Sequence, residues 1–262
     1  MVADLVMRGG AVPIRVRDHD GEGPPVLLLH GAGGDLTAWD AFAPLLTHAH
    51  RVVAMDLRGH GESGDGPWTW DAVLDDIAAA VDGLGLENPR VVGHSLGGML
   101  AGMWGRRRPG CPAVVSLDGH RSSATEPRHY LGLPEEKVHQ QLERLNSLFS
   151  ARLSSLRRPG PEVASALREA PEFADCLPVF EQVGCPFLVV LAGREVPGLP
   201  AEFAELMAGY RAGLRRDLAA LGERRPNVRV TEVEASHGMV VERPEAVAEL
   251  VLDFLAASAL AR

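Results

Sequence analysis

Arg90-Val91-Val92-Gly93-His94-Ser95-Leu96-Gly97-Gly98-Met99-Leu100-Ala101-Gly102-Met103-Trp104 decides the fold. Its first residues are a short apolar run, the end of a buried strand, and the residues from Leu96 onward read as a helix. Between the two, Gly93-His94-Ser95-Leu96-Gly97 has G-x-S-x-G spacing, with the serine on a tight strand-to-helix turn. Such a turn holds the serine backbone in strained geometry and thrusts its hydroxyl outward. The flanking positions lie so close to strand and helix that only glycine fits. The helix N-terminus behind the serine favours a developing oxyanion. A G-x-S-x-G pentapeptide also arises by chance in glycine-rich chains, so its meaning comes from the strand before it and the helix after it.

Working outward, Val26-Leu27-Leu28-Leu29 is fully apolar and runs into His30-Gly31-Ala32-Gly33-Gly34. That pattern predicts a buried parallel strand entering a glycine-rich loop whose N–H groups can face a pocket. Leu5–Met7 and Ile14–Arg17 predict an opening β-hairpin, and residues 51–55, 113–117, 186–191 and 228–233 further strands. Helices are predicted over 36–46, 70–84, 96–107 and 244–260; on the second, Val73, Leu74, Ile77, Ala80, Val81 and Leu84 share a face. Strands alternating with helices imply an α/β fold with a parallel sheet covered on both faces. Residues 119–180 break the rhythm with polar, helical-looking pieces near 134–150 and 161–170, joined by Arg157-Arg158-Pro159-Gly160-Pro161.

The order oxyanion-type loop, serine, then Ala235-Ser236-His237-Gly238 after the last strand resembles the α/β-hydrolase fold superfamily. Met55-Asp56-Leu57-Arg58-Gly59-His60-Gly61-Glu62-Ser63 matches that family's habit as well. The resemblance covers nearly the whole chain and is weakest between about 119 and 180. It implies a mostly parallel twisted sheet with helices on both faces and a helical lid insertion. The core would comprise 1–118 and 181–262, with the lid at 119–180, where substrate choice would reside.

Bulk properties narrow the function. The 262 residues suit one α/β domain with an insertion, and 46% hydrophobic content is ample for a core. A net charge of −9 argues against a nucleic-acid partner, since phosphate binding needs a basic surface. Lys137 is the only lysine, a matter of base composition rather than arginine chemistry. Cys111, Cys176 and Cys185 are odd in number without metal-ligand spacing, which predicts reduced thiols in a cytoplasmic setting. Met1-Val2-Ala3-Asp4 opens without a basic n-region, and no apolar run is long enough to span a bilayer. Gly31 to Gly34 lacks dinucleotide-fingerprint spacing, and no cofactor or metal is expected. The expected partner is a small-molecule acyl substrate, with no nucleic acid and no membrane; a homodimer is left open.

Ser95 is the expected nucleophile and needs a base within hydrogen-bond reach. His237, last of the ten histidines, is the expected base, since imidazole titrates near neutrality. His30 is expected to support the oxyanion loop, His60 the turn after Met55, and His94 to flank the nucleophile. Leu96 and Ala32 supply the backbone N–H groups of the oxyanion hole that the resemblance implies. For the acid that orients His237, the family usually has an aspartate in a Gly-x-x-Asp pattern after strand 186–191. This chain has Gly193-Arg194-Glu195-Val196 there. Glu195 is one candidate. Asp118, at the end of strand 113–117 where some family members carry the acid, is the other and is preferred. Ala201 to Glu223 is also longer and more helical than the family pattern.

The leading expectation is a cofactor-free serine hydrolase of a small ester, lactone or thioester, working through an acyl-enzyme. Serine at the elbow, in place of aspartate, argues against a haloalkane dehalogenase or epoxide hydrolase. The alternatives are a non-hydrolytic enzyme on the same fold (an acyltransferase, a cyclase or a carbon–carbon bond enzyme) and a ligand-binding or sensor protein.

Overall fold

Runs of apolar residues with no polar alternation need cover on both faces, and this requirement organises the sheet. A computed structural model describes residues 2–123, 125–154 and 158–260. Met1, and within the expected lid residue 124 and residues 155–157, lie outside them. Ala3–Met7 (β1) and Ile14–Asp18 (β2) form the expected antiparallel hairpin. Val26–Leu29 (β3), Val52–Met55 (β4), Arg90–His94 (β5), Val114–Leu117 (β6), Phe187–Ala192 (β7) and Val228–Val233 (β8) are mutually parallel. The strand order is β1-β2-β4-β3-β5-β6-β7-β8. The pleat of a central strand such as β3 divides its residues between two cores: Leu27 and Leu29 enter one, Val26 and Leu28 the other.

Helices cover both faces. Trp70–Gly83 (α1) begins at Thr69, whose hydroxyl accepts the Ala72 N–H at 3.1 Å. It buries Val73, Leu74, Ile77, Ala80 and Val81, as the spacing predicts. The same face buries Asp76, which meets Arg58 at 2.5 and 2.8 Å. Leu96–Arg107 (α2) follows β5 and packs with α1 on the first core. Over 36–46 the single helix expected is instead two 3-10 turns, Leu36–Trp39 and Ala43–Leu45. Asp35 caps the first, and Pro44 in the first turn of the second has no N–H to continue an α-ladder. Trp39 and Phe42 from these turns fill the second core.

Between β6 and β7 lie Glu135–Ser154 (α3), Pro161–Glu169 (α4), Pro171–Ala174 (α5) and Leu177–Phe180 (α6). Between β7 and β8, Ala201–Phe203 is a 3-10 turn leading into the long helix Ala204–Arg224 (α7). The Ala201–Glu223 departure thus becomes a supporting wall: a Cβ at Gly213 of α7 would meet the His129 carbonyl oxygen at 1.9 Å. Arg121, buried, binds Asp175 at 3.0 Å and Asp217 of α7 at 2.8 Å, so one guanidinium ties both ends of the segment between β6 and β7 to the wall. After β8 come the short Met239–Glu242 (α8), which sequence periodicity did not reveal, and Pro244–Leu260 (α9) on the second core. Among the described residues no helix is long and apolar enough to cross a membrane.

Candidate active site

The turn between β5 and α2 places Ser95 at φ +54°, ψ −118°, outside the regions an L-residue prefers. Strain of this kind costs about 1–3 kcal/mol and persists only where the surroundings enforce it. Here they do. A Cβ on Gly93 would sit 1.9 Å from the Gly97 carbonyl oxygen, and one on Gly97 would sit 2.0 Å from the Leu29 oxygen. The strand and helix therefore close on each other only because both positions are glycine. The Ser95 hydroxyl does not cap α2, although serine at a helix start commonly does so. Ser95 is half-buried, and its hydroxyl is not spent on the cap.

The loop after β3 runs beside it: a Cβ on Gly31 would lie 3.5 Å from Ser95 Oγ. His30, fully buried, staples this loop. The Leu57 N–H donates to His30 Nε2 at 3.0 Å, so the proton sits on Nδ1, which donates to the Gly31 carbonyl at 2.8 Å. Burial pushes the His30 pKa down to about 4, keeping the ring neutral. The Gly34 N–H donates to the same Gly31 oxygen at 3.0 Å. In a trans peptide the following N–H points opposite to the carbonyl, so pinning Gly31 O fixes the direction of the Ala32 N–H. Leu96 opens α2, and its N–H has no acceptor within the helix.

Asp118 ends β6 in the left-handed region, at φ +51°. Its Oδ2 accepts from His237 Nδ1 at 2.6 Å. Its Oδ1 accepts from the Ala192 N–H at 3.0 Å and from His120 Nε2 at 3.1 Å. Burial alone would raise the Asp118 pKa, but the two imidazole donors hold it well below the usual carboxylate range. On His237 desolvation pulls downward, while the hydrogen bond and charge of Asp118 outweigh it and raise the pKa above 6.5. With Nδ1–H committed to Asp118, Nε2 is the lone-pair nitrogen of the neutral ring. The His237 side chain is 42% exposed.

The structure joins His237 to Asp118, sets Ser95 next in the chain to His94, which reaches the His237 carbonyl, and keeps Glu195 apart from them. Glu195 is exposed on the turn after β7 and pairs with Arg211 at 2.7 Å. His94, beside Ser95, donates from Nε2 to the His237 carbonyl at 2.7 Å, and the two rings lie 4.8 Å apart. Burial, and then the neighbouring His237, depress the His94 pKa to about 4. On the other side of the loop Ser236 is held by Glu242, whose Oε2 accepts the Ser236 N–H at 3.0 Å. Neither His94 nor His120 shows its role in the sequence, because each acts on a residue brought close only by folding. His60 is fully buried beside His30, at 5.3 Å between rings. Cys111, Cys176 and Cys185 are all buried. Among the described residues no group of three or more His, Cys, Asp or Glu side chains is arranged to hold a metal ion.

These features place the protein in a class. Residues 26–250 match the model of the alpha/beta hydrolase family, and the chain belongs to that family. It is 31% identical over 222 residues to pimeloyl-[acyl-carrier protein] methyl ester esterase of Methylococcus capsulatus, covering 74% of this chain and 85% of that protein. It is 28% identical to 2-hydroxymuconate semialdehyde hydrolase of Pseudomonas sp. over 94% of this chain and 92% of the relative. The solved enol-lactonase of Burkholderia xenovorans superimposes with a TM-score of 0.68 at 22% identity, covering 96% of this chain and all (100%) of that one. At that identity the likeness establishes the fold alone.

Proposed function

We propose that the protein is a serine hydrolase that cleaves a small ester, lactone or thioester through an acyl-enzyme. The observation that carries this reading is the 2.6 Å His237–Asp118 hydrogen bond, formed beside a serine in strained elbow geometry. Ser95 Oγ attacks the carbonyl carbon while its proton passes to His237 Nε2. The Asp118 carboxylate stabilises the imidazolium, and the Leu96 and Ala32 N–H groups receive the oxyanion. Collapse of the tetrahedral adduct expels the leaving group, which takes the proton from His237. Water then attacks the acyl-serine, giving its proton to the same nitrogen, and the acid leaves as Ser95 is re-protonated. Relatives named as an esterase and as a hydrolase support the assignment to hydrolysis.

Residues 119–180 serve in this reading as the lid. Its α4 residue Val163 packs on Gly59, where a Cβ would come within 2.9 Å. Arg158 donates to the Gly59 and Ser63 carbonyls at 3.1 and 2.9 Å. These contacts seat it on the 59–65 loop, and Trp70 adds a bond to Glu172 at 3.1 Å.

The test is a panel of acyl esters, lactones and thioesters run on wild type and Ser95→Ala, with intact mass spectrometry for the acyl adduct. Turnover and an adduct that both vanish in Ser95→Ala support the assignment. A variant that hydrolyses the panel as fast as wild type would overturn it. Release of the acyl group to an added alcohol or amine but not to water would move the protein to the acyltransferases.

A further inference from the structure

Asp118 is shared by two histidines of opposite character. His237 takes Oδ2 at 2.6 Å and is 42% exposed; His120 takes Oδ1 at 3.1 Å and is 3% exposed. A ring so enclosed cannot reach a substrate. Its Nε2 must donate, because the carboxylate only accepts, and its Nδ1 is buried without a hydrogen-bond partner among the described residues. Leaving a buried ring nitrogen unpaired is unfavourable, and native folds carry few such groups. The hydrogen bond made by the other nitrogen is what the arrangement gains.

The reason lies in the torsional freedom of an aspartate. Rotation of the carboxylate about χ2 is soft and broad, so Asp118 on its own would not aim Oδ2 in one direction. Two donors converge on Oδ1, one from the main chain of β7 at Ala192 and one from the His120 ring. Together they fix the carboxylate plane and leave Oδ2 for His237. His120 is itself held firmly. Its carbonyl accepts the Cys176 N–H at 2.9 Å, the preceding carbonyl accepts Ser116 Oγ at 3.1 Å, and a Cβ on Gly119 would lie 2.0 Å from the Ser95 carbonyl oxygen. The ionisable groups around this turn include Asp118 with His237, Arg121 with both Asp175 and Asp217, His129 at 3.7 Å from Asp175 and, from α7, Tyr210, which donates to the Arg121 carbonyl at 2.6 Å and feels the Asp118 charge.

We propose that His120 is a positioning residue: it locks the Asp118 carboxylate through Oδ1 so that Oδ2 orients His237. The proposal rests on the serine-hydrolase reading for its catalytic consequence, but its geometry can be read without turnover. His120→Gln keeps an amide donor near the Nε2 position, His120→Asn places its amide short of Asp118, and His120→Leu keeps bulk without a donor.

Two measurements are made on each intact variant. One is the downfield proton resonance of the His237 Nδ1–H bond, assigned by its loss in Asp118→Asn. The other is the rate of labelling by a fluorophosphonate probe, followed across pH. The expected result is that wild type and His120→Gln keep the resonance and label alike. His120→Asn and His120→Leu lose or broaden it and label roughly 10- to 100-fold more slowly, as a misaimed catalytic group would. If His120→Leu fails to fold, the Gln and Asn pair decides. Equal resonances and equal labelling in that pair overturn the proposal. A wild type that shows the resonance but is never labelled overturns the serine-hydrolase reading instead, and the resonance comparison still judges His120.

Discussion

His237 Nδ1 and Asp118 Oδ2 lie 2.6 Å apart although the two residues are 119 positions apart in the chain. The contact exists because β6 and β8 flank β7 in the sheet, so the loops leaving their C-terminal ends converge. Ligands of open α/β sheets bind at this end of the strands for the same reason.

Asp118→Asn should cut kcat by about 10⁴-fold, because the amide favours the wrong imidazole tautomer and withdraws the charge that stabilises the cation. Glu195→Gln breaks only an exposed ion pair with Arg211 and should leave kcat at the wild-type value. Steady-state kinetics on the two variants decide between the carboxylates; full activity in Asp118→Asn would remove Asp118 from the site.

The acid limb of kcat/KM should fall above 6.5, since Asp118 raises the His237 pKa and the base must be neutral to act. Stability follows two signs. The contribution from His237, whose pKa is higher when folded, is complete below pH 6.5 and lost as pH rises through the folded value. That from Asp118, whose pKa is lower when folded, is complete above its ordinary 3.8 and lost as pH falls through the folded value. In Asp118→Asn the acid limb should move downward, and pH-dependent melting should lose both components.

Gly97→Ala should destabilise the elbow itself, because the added Cβ would lie 2.0 Å from a β3 carbonyl that the sheet holds in place. Overpacking of this kind costs about 1–3 kcal/mol. Each kcal/mol lowers Tm by about 2–4 °C in a domain approaching this size. Differential scanning fluorimetry should show the drop and a fluorophosphonate probe the loss of labelling; an unchanged Tm would mean the elbow is looser than described.

The Arg58–Asp76 pair is buried on both sides, with side chains 4% and 1% exposed. Asp76→Ala strands a buried guanidinium and should cost about 3–5 kcal/mol in urea denaturation. The double variant Arg58→Met, Asp76→Leu should recover most of that loss, since apolar pairs of similar volume often replace buried ion pairs without penalty. A double variant no more stable than the single one would show that the Arg58 bond to the Pro67 carbonyl, at 2.7 Å, matters more than the pair.

Some of this was legible in the residues and some was not. Strands such as 26–29 and 52–55 are continuous apolar runs, and α1 has a regular apolar face, so local pattern and tertiary burial agree there. The helix read over 36–46 failed because Pro44 and the Asp35 cap favour short 3-10 turns, while the apolar spacing of Leu36, Trp39 and Phe42 suits either form. Glu195 could be weighed against Asp118 from the sequence, but not the Arg211 side chain from α7 that occupies it.

By itself, the sequence determined what is local. The glycines around Ser95, the fully apolar strands and the order of loop, serine and histidine follow from sterics and periodicity within a few residues. Tertiary structure alone decided which carboxylate meets His237 and that a second histidine shares it. It also decided that His94 holds the His237 carbonyl and that α7 braces the segment between β6 and β7. Those outcomes depend on strand order and on side chains at the ends of strands distant in sequence coming within hydrogen-bond reach, a scale on which neighbouring residues carry no information.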